Sequence, residues 1–75
     1  MKLNICKTMR EYRELIEAYQ KSGETVTLYG RDQKYLNRGI VTLVNNHSFT
    51  IRETYNSKII VEFEDMLINE YYIGS

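Results

Sequence analysis

The sequence predicts a mainly β, α+β fold in which a single N-terminal helix packs on a strongly bent antiparallel sheet of four or five strands. Three observations predict it. Apolar residues from Met9 to Tyr19 recur at three- and four-residue steps, the period of one helix face. From Thr25 onward the period falls to two, in bursts separated by turn residues. The connections between bursts are too short for crossover helices, so neighbouring strands run antiparallel.

Leu3 and Ile5 alternate with Lys2, Asn4 and Cys6, either as a short strand or as an extended lead-in. Thr8 stands three residues before Glu11, a spacing in which hydroxyl and carboxylate each satisfy an orphan amide at a helix start. The helix runs from about Met9 to Lys21, with Met9, Tyr12, Leu15, Ile16 and Tyr19 on its apolar stripe and a Glu17 to Lys21 pair off it. Gly23 caps its end.

Thr25 to Tyr29 reads as a half-buried strand with Val26 and Leu28 facing one way, and Gly30-Arg31-Asp32 as the turn after it. Tyr35-Leu36 and Ile40 to Val44 form a long strand that bends at Gly39. Asn45-Asn46 makes a hairpin turn because asparagine tolerates left-handed backbone angles. Phe49 and Ile51 mark the next strand, and Tyr55-Asn56-Ser57 the turn that follows. Ile59, Val61 and Phe63 then face the core while Ile60, Glu62 and Glu64 face outward. Asp65 is expected in a tight turn, with a final edge strand from Met66 to Tyr72.

Seventy-five residues make one domain, 1–75, and a chain of this size buries only about 60% of its unfolded surface. Ten basic residues balance ten acidic ones, which removes the electrostatic footprint of a protein built to sit on phosphate backbones. One cysteine, Cys6, allows no internal disulfide and no cysteine-rich metal cluster, and fits a reducing cytoplasm. The apolar runs are too short to cross a bilayer, and the polar start is unlike a signal peptide. With no proline and four glycines, the chain is expected to be ordered apart from its last two residues.

Val26 to Tyr29, Gly39-Ile40-Val41, Phe49-Thr50-Ile51 and Ile59 to Ile68, preceded by a helix, resemble the Sm-like small barrel. Residues 8–70 also resemble the carboxyl-terminal half of the YolD-like family of small bacterial and phage proteins, most specifically in Val61-Glu62-Phe63-Glu64-Asp65-Met66-Leu67. The tryptophan- and proline-bearing segment of longer members has no counterpart here. That resemblance implies an accessory role, since some members are predicted partners of Y-family lesion-bypass polymerases. The Sm-like one implies RNA binding, but Asn45-Asn46-His47 and Glu64-Asp65-Met66 depart from the loop residues of RNA-binding members, and the two carboxylates would repel phosphate.

No constellation of residues announces a reaction. His47 lacks an evident partner, because Ser48 beside it on a strand points to the opposite face; a solvated turn histidine is the simpler reading. Cys6 has no visible means of lowering its pKa and reads as a packing residue. Glu62, Glu64 and Asp65 lack the spacing of a calcium loop and read as a solvated acidic face. Tyr29, Arg31, Lys34, Tyr35 and Arg38 mix cations with aromatic faces as single-stranded nucleic-acid binders do, although Asp32 interrupts them.

The expectation is therefore a non-enzymatic protein-interaction module without a cofactor or metal, an accessory or regulatory subunit whose partner is another protein or a second copy. Its expected surface is Ile60, Glu62, Glu64, Asp65, Leu67, Tyr71 and Tyr72, on the last two strands, of which the final one is left as a sheet edge. The alternative is single-stranded RNA or DNA binding by an Sm-like barrel.

Overall fold

A computed structural model describes residues 3–53 and 57–74 of the chain. In chain order the elements are β1 (Asn4–Ile5), α1 (Met9–Ser22), β2 (Thr25–Tyr29), β3 (Tyr35–Val44), β4 (Ser48–Arg52), β5 (Lys58–Glu62), α2 (Phe63–Ile68) and β6 (Tyr72–Gly74). The strands form one antiparallel sheet in the order β1-β6-β2-β3-β4-β5.

Two expectations about the sheet are corrected. It has six strands, not four or five, and it does not close into a barrel. The physical reason lies at β6, whose two sides are taken by β2 and β1, so that it has no edge left for β5.

Helix α1 starts where Thr8 accepts a hydrogen bond from the Glu11 amide (3.1 Å). The Glu11 carboxylate accepts from the Thr8 hydroxyl (3.2 Å), a variation on the reciprocal cap expected from the sequence. It ends at Gly23, whose φ of 73° is costly for any residue with a Cβ and whose amide donates to the Tyr19 carbonyl. The ion pair on this helix is Arg10 with Glu14 (3.7 Å); among the described residues Glu17 and Lys21 do not pair.

Tyr12 and Ile16 of α1 meet Val26 and Leu28 of β2, Val41 of β3, Phe49 and Ile51 of β4, Val61 of β5, Phe63 and Met66 of α2 and Ile73 of β6 in one core. Phe49 and Phe63 stack with ring centroids 5.3 Å apart, tying α2 to the sheet.

Gly39 acts by close approach. It lies where β3 leaves its pairing with β2 and takes up β4, and a Cβ there would fall 2.4 Å from the Arg52 carbonyl oxygen. The ladder irregularities lie elsewhere, between Leu28 and Tyr29 and between Val41 and Leu43. The second turns Leu43 to the outer face, opposite Thr50, and returns Val44 to the inner one, opposite Phe49.

The stretch after β5 is the larger correction. Residues 63–68, expected as a tight turn and the start of an edge strand, form helix α2 with Phe63 and Met66 buried. Only Tyr72–Gly74 is strand, and it is interior; Gly74, expected to be loose, pairs with Thr27. Of the turn expected at Tyr55-Asn56-Ser57, Tyr55 and Asn56 lie outside the described residues.

Candidate functional site: the open edge at β5

The free ends of the sheet are β1, two residues long, and β5, five residues long. β5 owes its alternation to Lys58-Ile59-Ile60-Val61-Glu62. Val61 is in the core and Ile59 packs against it, while Lys58, Ile60 and Glu62 point outward and are exposed. Ile60 is 71% exposed, the most exposed of the large hydrophobic residues among those described. Across the ladder Ile60 faces Thr50, which faces Leu43, 59% exposed, so the outer face carries an apolar row ending at the open edge.

The direction of the backbone groups follows from the ladder. The Glu53 amide donates to the Ser57 carbonyl (2.7 Å) and the Phe63 amide to the His47 carbonyl (2.9 Å). Both belong to the same register as the pairs Phe49–Val61 and Ile51–Ile59, so the odd-numbered residues bond inward to β4. The amides and carbonyls of Lys58 and Ile60, and the Glu62 amide, therefore face the open side. The Glu62 carbonyl, at the N-cap of α2, is turned to its own helix.

The turn between β3 and β4 is held by Asn45, whose side-chain oxygen accepts from the amides of His47 (2.9 Å) and Ser48 (2.8 Å). Neither asparagine of this turn has a positive φ; the side chain shapes it, contrary to the left-handed backbone expected there. Glu64 and Asp65, exposed in the first turn of α2, lie just beyond the edge.

The residues expected to form one interaction surface are thus divided. Ile60 and Glu62 are on the open edge and Glu64 and Asp65 follow it. Leu67 packs partly against the core from α2, and Tyr71 packs there too, its carbonyl accepting the Tyr12 hydroxyl (2.6 Å). Tyr72 is held between Ile5 of β1 and Tyr29 of β2, so the expected edge from Met66 to Tyr72 is not one. Lys58, which the expected surface omits, shares the outward face with Ile60, as period-two spacing shows; Leu43 was hidden from such spacing by the bulge.

The β2–β3 hairpin does gather Tyr29, Arg31, Lys34, Tyr35 and Arg38. Tyr29 lies opposite Tyr35, and Lys34, Tyr35 and Arg38 are exposed. Arg31 is paired with Glu70 (3.0 Å), which neutralises part of its charge, and Asp32 is folded into the turn as acceptor of the Lys34 amide. His47 is exposed in its turn. Cys6 is half-buried, and burial, reinforced by the negative charge of Glu11, pushes its thiol pKa up, away from a reactive thiolate. Among the described residues no three His, Cys, Asp or Glu side chains converge as a metal site would require.

Compared with family models, curated proteins and solved structures, the chain matches none. No helix among the described residues is long and apolar enough to cross a membrane.

Proposed function

We propose that the chain is a non-enzymatic interaction module that binds another polypeptide by adding a strand to β5. The observation that carries this reading is the open five-residue edge on which the apolar Ile60 is 71% exposed. Unsatisfied amides and carbonyls on such an edge are a template for a further strand, and an apolar side chain beside them raises the gain from burial. Glu64 and Asp65 would favour a basic flank on the bound segment.

The YolD-like resemblance of the run from Val61 to Leu67 supports an accessory or regulatory role in a bacterium or phage, in the cytoplasm, with a lesion-bypass polymerase as a candidate client. The test compares the chain with Ile60→Lys for association, by hydrodynamic size and by capture on purified candidate clients. Loss of association with an unchanged circular dichroism spectrum is expected; undiminished association in the variant overturns the edge as the binding surface.

A second reading, single-stranded RNA or DNA binding of the kind an Sm-like relationship implies, is favoured by the exposed Tyr35 and Arg38 beside Lys34 on one hairpin. It requires binding that weakens as salt rises, because each neutralised phosphate releases counterions. A flat titration against mixed-sequence single strands at low salt would remove it.

A further inference from the structure

We infer that the polypeptide taken up by β5 is β5 of a second copy, paired antiparallel about a twofold axis at Ile60, so that the two sheets join into one. This deepens the edge-strand reading and rests on it. The strand is its own complement in that orientation. Lys58 meets Glu62 of the second copy, Ile60 meets Ile60, Glu62 meets Lys58, and on the inner face Ile59 meets Val61.

Two features of the structure favour that register. Facing parity admits only registers that keep the inner faces together, and a slip by two residues sets Lys58 against Ile60 and leaves Glu62 without its cation. Parallel pairing sets Lys58 against Lys58 and Glu62 against Glu62, which repel. The backbone agrees: the even-numbered residues carry the outward groups, so the twofold places Ile60 in a hydrogen-bonded pair with itself and lets each Glu62 amide donate to the opposite Lys58 carbonyl.

The isolated chain also leaves Lys58 poorly placed. Its ladder neighbour is Arg52, a like charge directly opposite, and among the described residues neither Lys58 nor Glu62 has an ion-pair partner. A second β5 supplies the missing carboxylate on the other side. It also makes the row from Leu43 through Thr50 to Ile60 continuous with its twofold mate.

The experiment is sedimentation equilibrium of the full chain with Lys58→Glu, Glu62→Lys, and the double variant carrying both. The wild type is expected to sediment as a dimer. Each single reversal creates two like-charge contacts per dimer and is expected to raise the dissociation constant by roughly tenfold or more, whereas the double variant restores it to within about threefold of wild type. Both substituted positions are exposed in the single chain, and circular dichroism checks that the variants fold. A double variant no better than either single, or a dimer unaffected by any of them, overturns the twofold register. A wild type that stays monomeric overturns the second copy as occupant while leaving the edge to be judged by Ile60→Lys on candidate clients. A dimer that survives Ile60→Lys overturns β5 as the seam between copies, and client capture undiminished by the same substitution overturns the edge itself.

Discussion

Tyr12 ties α1 to the segment leading into β6, its buried hydroxyl donating to the Tyr71 carbonyl at 2.6 Å. Tyr12→Phe keeps the ring packing but leaves that carbonyl without its donor, so a loss of about 1–2 kcal/mol is expected in urea unfolding near neutral pH. Burial, the leading cause, also raises the Tyr12 pKa. A phenol whose folded pKa lies above its unfolded value of about 10 contributes stability that is whole below that pH and is lost as pH rises through the folded pKa. The penalty of Tyr12→Phe should therefore shrink in unfolding curves taken above about pH 10. A penalty that stays constant would show that the phenol is not held neutral by the fold. Gly39 is the other residue on which much rests. Gly39→Ala drives a methyl against the Arg52 carbonyl and Ile51, and β4 cannot withdraw without leaving its ladder. A destabilisation of about 1–3 kcal/mol is expected from that overpacking, read as a shift of the urea midpoint at unchanged slope.

At the scale of elements, α2 decides which positions on the last third of the chain are free to bind. Leu67 and Ile60 look alike as the middle residues of three-residue apolar runs, yet one packs on the core from a helix and the other stands on an open strand. Leu67→Lys should cost about 1–3 kcal/mol of stability, whereas Ile60→Lys should stay within about 0.5 kcal/mol, both measured by chemical unfolding at a concentration where the chain is monomeric. Equal effects would mean that α2 is not docked as described. The misreading of this stretch has a physical source. Phe63, Met66 and Leu67 stand at helical spacing and Glu64 and Asp65 suit a helix N-terminus, but six residues are too few for periodicity to outvote the strand just before them. The earlier elements were legible because each carries several turns or alternations together with a cap or turn residue, as α1 does with Thr8 and Gly23. The exposure of Ile60 was legible for the same reason. The edge itself was not, since which strand ends a sheet depends on pairings such as β1 with β6 that join distant parts of the chain.

For the whole molecule the question is where assembly stops. A sheet with two open ends can grow without limit if the ends differ and join head to tail, or close at two copies if one end pairs with itself. Here the ends are unequal. β1 offers two residues, with Asn4 and Ile5 both exposed, and β5 offers five with matched charges. Once two β5 strands have paired, each end of the joined sheet presents only β1, too short for a stable ladder. The oligomer is therefore expected to hold at twice the 8.9 kDa chain mass as concentration is raised roughly a hundredfold above the point of dimerisation. Because pairing favours the folded state by mass action, the thermal midpoint of the wild type should also rise with concentration over the range in which dimer forms, and that of Ile60→Lys should not. Light scattering and thermal unfolding followed over the same dilution series check both. Mass that keeps climbing past the dimer would show that β1 does not close the sheet, and a concentration-independent midpoint in the wild type would show that the edge gains nothing from a second copy.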